Sequence, residues 1–274
     1  MAPGLTLVGA HATGPDGPLS ATGIGSSAAS ARARCQSEQA EAACLPPRSS
    51  LSGIAAHPDA EHAALNAIEE LIERWLVGRW WQGAIPAQTP DPLLLRRFDQ
   101  CSRDWSCTDR RQRGLAALTA SALPTVMVAW SCNHEHRAIA FGAACRIDPS
   151  AATRAALREL CQMEFSLGLI LTKAARGERL TKRETASVNR AQNLILDDVT
   201  LPSRGTGQSA PHGIGDGTMC GSDDLLDGLK AAGLAADVAS ARSARADRHV
   251  AIARPVAKQI PFNEPAPSGW AFYI

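Results

Sequence analysis

A long amphipathic helix restricts the fold of this chain more than any other feature of its sequence. Between Pro58 and Trp81, apolar side chains recur at the spacing of one helical face, at Ala64, Ile68, Leu71, Ile72 and Trp75. The opposite face carries three carboxylates, those of Glu69, Glu70 and Glu73. The pattern predicts a helix that packs on a core through one side and presents acidic groups on the other.

Polar side chains three residues apart occur on three helix-like segments. The pairs are Glu38 with Glu41, Glu70 with Glu73, and Glu159 with Gln162. A three-residue offset puts both side chains of a pair on one face of a helix. Three such faces could converge on one metal ion or phosphate group, although surface salt pairs, each worth well under about 1 kcal/mol, would give the same pattern.

Charge and hydropathy exclude two classes of protein. The chain of 274 residues has a net charge of +1, and only Lys173, Lys182, Lys230 and Lys258 among its 28 basic residues are lysines. The arginines are spread among acidic residues, so we expect no binding of nucleic acid. The N-terminus lacks the pattern of a signal peptide, and no apolar run reaches the roughly 18 residues that span a bilayer. We therefore expect a cytoplasmic protein without a membrane partner.

The eight cysteines do not form a pattern typical of zinc sites, because no Cys-x-x-Cys pair is present. In a chain without an export signal they are expected to be reduced thiols. Cys132, His134 and His136 alternate along the chain and would share one side of a strand. A turn that contains two histidines explains them more simply than a ligand set, since no distant Cys/His pair completes a site.

The other segments predict a mixture of strands and helices. Residues 1–26 are expected to form a short strand, LTLVGA, followed by a loop, and residues 27–274 a single domain. Further predictions are a helix from Ala28 to Cys44, a hairpin made of TVMVAWSC and RAIAFGAAC, and a helix that begins at Asp148 and Pro149. A charged helical region at 173–190, a glycine-rich loop at 205–222, a helix DDLLDGLKAAGL and a strand HVAIARPVAKQIPF follow.

Taken in order, these segments resemble the YcaO family. In that family a Gly-Lys-Gly segment precedes a helix with Glu-x-x-Glu-Arg, a second helix ends in Glu-x-x-Glu-Arg-Asp, and a later helix carries a glutamate and a glutamine. The corresponding segments here are GIGSSAASARARCQSEQAEAA, GIAAHPDAEHAALNAIEELIERW, DPSAATRAALRELCQ, and LLDGLKAAGLAADV with RPVAKQIPF. The match runs from about Gly23 to Phe262.

The resemblance implies an α+β fold, with helices packed on a mainly antiparallel sheet in two layers and the glutamate-bearing helices lining a cleft. It also implies an enzyme that modifies peptide backbone amides with ATP and Mg²⁺, forming azolines, thioamides or amidines. An amide oxygen is a poor leaving group and needs phosphorylation, and Mg²⁺ would bridge phosphates and glutamates. The implied metal ligands are Glu38, Glu41, Glu70, Glu73 and Glu159. The implied nucleotide contacts are Arg34, Glu38, Glu41, Glu70, Arg74 and Gln162, whereas no catalytic residue is implied.

The chain departs from the family's pattern at several polar positions. Ile24 replaces a lysine, Arg34 a serine, Ala42 an arginine, Pro58 an asparagine and His62 a glutamate. Arg34 shares a helical face with Glu38 and Glu41, so it would either pair with them and compete with Mg²⁺, or bind phosphate. In the second case His62 would replace a metal ligand, since it lies on the same side of its helix as Glu70 and Glu73.

Three functions follow from these observations. The first, which we prefer, is an ATP-dependent enzyme of peptide maturation. Its expected partners are a precursor peptide, a leader-peptide-binding or E1-like protein and a flavin dehydrogenase, and its expected state is a homodimer. The second is a subunit that has lost nucleotide binding and serves as a scaffold for another modifying enzyme. The third is an unrelated α+β domain with a carboxylate-bound metal of its own.

Overall fold

The computed structural model describes residues 4–14, 17–43, 51–105, 111–195, 221–243 and 247–256. Helices within these ranges are α1 (Ala28–Ala42), α2 (Ala60–Trp81), α3 (Pro92–Asp104), α4 (Pro149–Ala175), α5 (Lys182–Asn193) and α6 (Ser222–Ala231). Strands are β1 (Thr6–Gly14), β2 (Gly17–Gly25), β3 (Gly53–His57), β4 (Gln112–Leu118), β5 (Val126–Cys132), β6 (Ala140–Cys145), β7 (Ala236–Ser243) and β8 (Arg248–Pro255). Residues 205–220 of the predicted glycine-rich loop, and the predicted last strand beyond 256, lie outside the described residues.

These strands form three antiparallel sheets. β1 pairs with β2, the second sheet has the order β3-β8-β7, and the third has the order β4-β5-β6. Helix α1 packs on the β1–β2 hairpin, α2 on the second sheet and α4 on the third. Both β3 and β6 are edge strands, so each has a row of backbone amides that pairs with no strand of its sheet. The predicted α+β fold with antiparallel sheets is confirmed.

Two strand–helix units, β3–α2 and β6–α4, have the same internal spacing. In each an aspartate caps the helix six residues after a glycine of the strand, Asp59 after Gly53 and Asp148 after Gly142. A Cβ on Gly53 would lie 1.8 Å from the carbonyl oxygen of Ala67, and one on Gly142 would lie 2.2 Å from that of Ala156. Only glycine permits such an approach, so helix and strand are equally close in both units.

Helix α2 lies at the centre of the larger hydrophobic core. Its predicted apolar face is buried, with Ile68, Leu71 and Ile72 fully enclosed and Trp75 nearly so. This face packs against side chains of the second and third sheets. A second core forms where α4 covers the other side of the third sheet. Because α2 touches both sheets, it holds the edges of β3 and β6 in a fixed relation.

Several predicted elements are confirmed, including the long helix and the hairpin, which is β5–β6. The cap of α4 is confirmed as well, since the Asp148 carboxylate accepts hydrogen bonds from the amides of Ser150 and Ala151. The hairpin turn is ordered by Asn133, whose side-chain oxygen accepts hydrogen bonds from the amides of Glu135 and Arg137. The turn interpretation of the neighbouring histidines is therefore confirmed.

Three elements were mispredicted. The segment after the first strand, expected to be a loop, is strand β2. Its glycines suggested a loop, but they allow close packing of the strand on α1, because a Cβ on Gly23 would lie 2.1 Å from the Ala31 carbonyl oxygen. Helix α3 and strand β4 were not predicted. They lie in an arginine-rich segment whose Arg113 is nearly buried in the structure and pairs with Glu164 of α4 inside the protein. Among the described residues, no helix is long and apolar enough to cross a membrane.

Candidate functional site

Carboxylates from three helices cluster beside the edges of β3 and β6, and we call the space that they surround the cleft. Glu38 and Glu41 come from α1, Glu70 and Glu73 from α2, and Glu159 from α4, and each is close enough to others to alter their ionisation. Glu38 and Glu159 are exposed, whereas the other three are half-buried. Two of the five residues are therefore accessible from solvent.

The edge of β3 holds two of these carboxylates in place. The amide of Ile54 donates a hydrogen bond to Oε2 of Glu70 at 2.7 Å, and the amide of Ala56 donates to Oε1 of Glu41 at 2.8 Å. In a strand, the backbone amides of residues i and i+2 point to the same edge, so the amides of Ile54 and Ala56 both point away from β8. An edge strand needs partners for these amides, and the glutamates of α1 and α2 supply them.

Glu159 is held in the same manner by β6. Its Oε2 atom accepts a hydrogen bond of 3.2 Å from the amide of Ala143. Ala143 follows Gly142 as Ile54 follows Gly53, and both glutamates lie seventeen residues after the glycine of their unit. Glu70 and Glu159 are thus equivalent residues of the two strand–helix units, and they are close enough that the charge of Glu70 contributes to the raised pKa of Glu159.

Arg74 fixes the position of Glu70 from the next turn of α2. Its guanidinium lies 2.5 Å from Oε1 of Glu70 and also donates to the carbonyl oxygen of Ser52 at 2.8 Å. Both oxygens of Glu70 therefore contact protein donors. By contrast, Glu73 accepts no hydrogen bond from any described residue.

The cluster carries more negative charge than its surroundings neutralise. Burial, reinforced by the charge of Glu38, raises the pKa of Glu41 to about 8. The protein around the carboxyl of Glu159 removes solvation and raises its pKa to about 7, although the residue as a whole stays accessible. Burial and the charges of Glu159 and Glu70 raise the pKa of Glu73 well above its ordinary value. A cation in the cleft would relieve this repulsion.

Three arginines, Arg34, Arg146 and Arg158, line the same cleft. Burial lowers the pKa of Arg158 to about 10, with the charges of Arg34 and Arg146 adding to the effect. Burial and the charge of Arg146 also lower the pKa of Arg34, while the charges of Glu159 and Glu38 act in the opposite direction. Arg34 makes no ion pair within 4 Å with a described carboxylate. Arg146 and Arg158 were missed from the sequence.

Glu69 is buried, although the sequence places it on the polar face of α2. It is 3% exposed, and its carboxylate accepts a hydrogen bond of 3.1 Å from the amide of Ile147. Its second oxygen lies 3.3 Å from the guanidinium of Arg146. Glu69 thus connects α2 to the end of β6 and positions Arg146 beside the cleft.

The two remaining predicted residues contact groups outside the carboxylate cluster. Gln162 donates a hydrogen bond of 2.6 Å to the hydroxyl of Thr22 in β2. His62 lies in the first turn of α2 with its Nδ1 atom 2.8 Å from Asp59. Eight helical residues, about 12 Å of axial rise, separate His62 from Glu70. The contact that the structure gives the His62 ring is thus with Asp59.

Among the departures from the family's pattern, Ile24 is a structural replacement. It lies in β2 and is 7% exposed, packed in the second core. A lysine at such a position would have to leave the core to reach a phosphate, and the isoleucine gains its stability from apolar burial instead. Arg34 and Arg158 supply positive charge to the cleft at other positions.

The donor set fits a magnesium ion bound with polyphosphate. Carboxylate oxygens are the ligands that Mg²⁺ prefers, and it commonly binds through one or two carboxylates plus phosphate oxygens. Glu73, which lacks a described hydrogen-bond donor and has a strongly raised pKa, is the carboxylate most available to an ion. Glu38 and Glu159 are exposed beside it. The arginines offer guanidinium groups suited to phosphate.

Solved structures share this fold. A YcaO protein from Methanopyrus kandleri, bound with AMPPCP and Mg²⁺, is 15% identical with a TM-score of 0.58, and the alignment covers 93% of this chain and 83% of that one. A heterocyclase in complex with substrate and cofactor is 20% identical with a TM-score of 0.58, covering 77% of this chain and 29% of that one. The heterocyclase TruD is 19% identical with a TM-score of 0.55, covering 77% and 30%. The chain thus spans less than a third of either heterocyclase.

Sequence comparison identifies the family. No curated protein matches the chain. The family model described as YcaO cyclodehydratase, ATP- and Mg²⁺-binding, matches residues 28–251, and its description names the two cofactors that the resemblance implies. A match over most of the chain rules out the hypothesis of an unrelated α+β domain. The chain belongs to the YcaO family.

Proposed function

We propose that this protein is an ATP- and Mg²⁺-dependent enzyme that modifies backbone amides of a peptide by cyclodehydration. The observation that carries the proposal is the convergence of α1, α2 and α4 on one cleft. There, the guanidinium group of Arg34 lies near the carboxylates of Glu38 and Glu159, and that of Arg158 lies near Glu159. Adjacent acidic and basic groups of this kind suit a metal–polyphosphate ligand, which carries charges of both signs.

The carboxylates fall into two groups, those that accept hydrogen bonds from strand amides and those that do not. Glu41 and Glu70 are bound to amides of β3, and Glu159 is bound to an amide of β6 through one oxygen. These hydrogen bonds orient carboxylates that would otherwise repel one another. Glu73 and Glu38 accept no hydrogen bond from described residues. We assign Glu73 and Glu38 to the metal, together with Oε1 of Glu159, the oxygen that does not accept the hydrogen bond from Ala143.

The arginines would bind phosphate. Arg34 lies near Glu38 and Glu159 without pairing with either within 4 Å, so its guanidinium remains available for an anion. Arg158 is crowded by Arg34 and Arg146, and a phosphate between these cations would remove their mutual repulsion. This arrangement favours phosphate binding by Arg34 over competition with Mg²⁺.

The substrate proposed is a precursor peptide with cysteine, serine or threonine side chains. In this chemistry ATP supplies the phosphoryl group that makes an amide oxygen a leaving group. The side-chain thiol or hydroxyl adds to the preceding carbonyl carbon, and phosphate departs with that oxygen, so that each ring formed removes one water from the peptide. A leader-peptide-binding or E1-like protein, a flavin dehydrogenase and a second copy of the chain are the proposed partners, and the cytoplasm the proposed location.

Calorimetric titration with the analogue AMPPCP and Mg²⁺ tests this function. The full chain should show saturable binding that is abolished by EDTA. Glu73→Gln should weaken binding by about tenfold or more, since it removes one charge without removing a described hydrogen bond. The matched control is Glu178→Gln, an exposed glutamate beside Arg176. Absence of binding at millimolar nucleotide would contradict the proposal.

A mass measurement tests the reaction. The protein, ATP, Mg²⁺ and a candidate precursor peptide should yield a product that is lighter by one water for each ring. Arg34→Ala should reduce nucleotide binding and product together if Arg34 binds phosphate. If it instead competes with Mg²⁺, the same change should strengthen metal-dependent binding.

A second function is a scaffold subunit without nucleotide binding. Two observations favour it. Arg74 lies 2.5 Å from a Glu70 oxygen that could otherwise bind an ion. The buried Ile24 occupies the position of the family's lysine. A chain of this kind would give no calorimetric signal with AMPPCP and would instead form a stable complex with another modifying enzyme. The Glu73→Gln change would leave that complex intact.

A further inference from the structure

We propose that His57, Asp59 and His62 form a surface site for a divalent transition metal, separate from the carboxylate cleft. Each of the three residues offers one ligand atom, and these atoms lie within 4.8 Å of one another. Two imidazoles and one carboxylate are a donor set that favours Zn²⁺, Ni²⁺, Cu²⁺ or Fe²⁺ over Mg²⁺. The proposal is independent of the function proposed for the cleft.

Local structure brings the three side chains together. His57 is the last residue of β3, and Asp59 caps α2 two residues later. The cap requires the Asp59 carboxylate to face the first turn of the helix, where its Oδ1 atom accepts a hydrogen bond of 2.9 Å from the His62 amide. The His62 side chain emerges from this turn beside the carboxylate. A helix cap therefore supplies the geometry of the site.

Hydrogen bonds already join the prospective ligands. The Nδ1 atom of His62 lies 2.8 Å from Oδ1 of Asp59, and the amide of Asp59 donates to Nδ1 of His57 at 3.1 Å. A nitrogen and an oxygen 2.8 Å apart can both reach an ion at bond lengths of about 2.0–2.2 Å. These two atoms are thus close enough together to bind one ion.

The two imidazole rings also face one another. Their centroids are 4.9 Å apart and their planes differ by 29°, so rotation about the side-chain bonds would direct a nitrogen of each ring at one ion. Such rotation is available because the side chain of His62 is 66% exposed and that of Asp59 is 56% exposed.

A metal at this position would link the end of β3 to the start of α2. These are the elements that hold Glu41 and Glu70, since His57 directly follows Ala56. An ion that binds only the folded chain stabilises it by mass action. Three protein ligands leave further coordination positions for water or for an outside ligand.

The full chain, purified without an affinity tag, should bind Zn²⁺ at a 1:1 ratio in calorimetry and show a higher Tm with the ion. Co²⁺ should give visible absorption from ligand-field transitions. His57→Ala and His62→Ala should each weaken binding by about tenfold or more. Asp59→Asn should also weaken it while preserving the helix cap, because asparagine caps as well as aspartate does.

Two variants serve as controls. His134→Ala removes an exposed histidine that lies 3.9 Å from Glu135, and it should leave Zn²⁺ affinity unchanged. Glu178→Gln removes an exposed carboxylate outside both sites and should likewise leave Zn²⁺ affinity unchanged. The proposal is overturned if millimolar Zn²⁺ gives no saturable binding, or if the His57→Ala/His62→Ala double variant, folded by circular dichroism, binds Zn²⁺ as tightly as the unaltered chain.

Discussion

Glu70 accepts a hydrogen bond from the backbone amide of Ile54, at 2.7 Å, on the open edge of β3. The contact satisfies an amide that the sheet leaves unpaired and holds a carboxylate at the wall of the cleft. The pair Glu159 and Ala143 repeats it on β6 at 3.2 Å. A functional side chain in this protein is therefore positioned by the same hydrogen bond that completes a sheet edge.

We predict that Gly53→Ala and Gly142→Ala destabilise the protein. The new Cβ atoms would lie 1.8 Å from the Ala67 carbonyl oxygen and 2.2 Å from the Ala156 carbonyl oxygen. Helix backbone cannot move away without breaking contacts in the core, so each change should cost about 1–3 kcal/mol of unfolding free energy. Urea denaturation measures the loss.

Gly168→Ala is the control for these two changes. Gly168 lies in α4, and a Cβ there would have no neighbour within 4 Å. Alanine favours helix over glycine by up to about 1 kcal/mol, so this variant should be as stable as the unaltered chain or more stable. Equal stability of all three variants would show that close strand–helix approach is not required.

Much of this site could be predicted from the sequence because its carboxylates lie on helices. The three-residue spacing of Glu70 and Glu73 fixes their shared face, and the flanking segments give the family. The equivalence of Glu70 and Glu159 can also be seen in the sequence, since each residue follows a glycine by seventeen residues and a capping aspartate by eleven. Comparison of those two intervals predicts that Glu70 and Glu159 occupy equivalent places in their units, whereas the hydrogen bonds to the strand edges are known only from the structure.

Arg146 and Arg158 could not be found by the same reasoning. Arg146 follows a strand rather than lying on a helix with a carboxylate pattern, and its position depends on an ion pair with Glu69 across the core. The sequence pattern also leaves the place of His62 relative to Glu70 open. A shared helical face does not fix the distance along the helix axis, which is about 12 Å between these two residues.

The pH dependence of stability should reflect the raised pKa values of the cleft. Glu41 and Glu159 have pKa values of about 8 and about 7 in the folded chain, against about 4.3 for an unperturbed glutamate. Between these values the folded state holds more protons than the unfolded state, so stability falls as pH rises. Thermal unfolding without ligand should show a Tm that decreases from about pH 5 to about pH 8.

Glu41→Gln should reduce this slope. The glutamine oxygen can still accept the hydrogen bond from the Ala56 amide, but it binds no proton in this range. Glu178→Gln, at an exposed position, should leave the slope unchanged. A Tm that rises through the same pH interval would contradict the assignment of raised pKa values to these carboxyl groups.

Glu69→Ala should destabilise the chain more than Glu69→Gln. Alanine leaves the Ile147 amide without its acceptor, which costs about 1–3 kcal/mol. It also removes the ion pair with Arg146, whose guanidinium keeps its hydrogen bond to the Cys145 carbonyl oxygen. Glutamine retains an acceptor for the amide and loses only the charge. Denaturant unfolding of the two variants measures the difference, and equal losses would mean that the ion pair with Arg146 dominates.

Binding of Mg²⁺ and nucleotide should release protons from the cleft. The pKa values of Glu41 and Glu159 lie at about 8 and about 7, so both carboxyls are partly protonated near neutral pH. A bound cation favours their ionised forms and expels these protons. Titrations with Mg²⁺ and AMPPCP at about pH 7.5, in Pipes and in Tris, should therefore give different heats, because the two buffers take up protons with different enthalpies. Glu159→Gln should shrink that difference while Glu178→Gln preserves it, and identical heats in both buffers would mean that the cation binds without ionising the cluster.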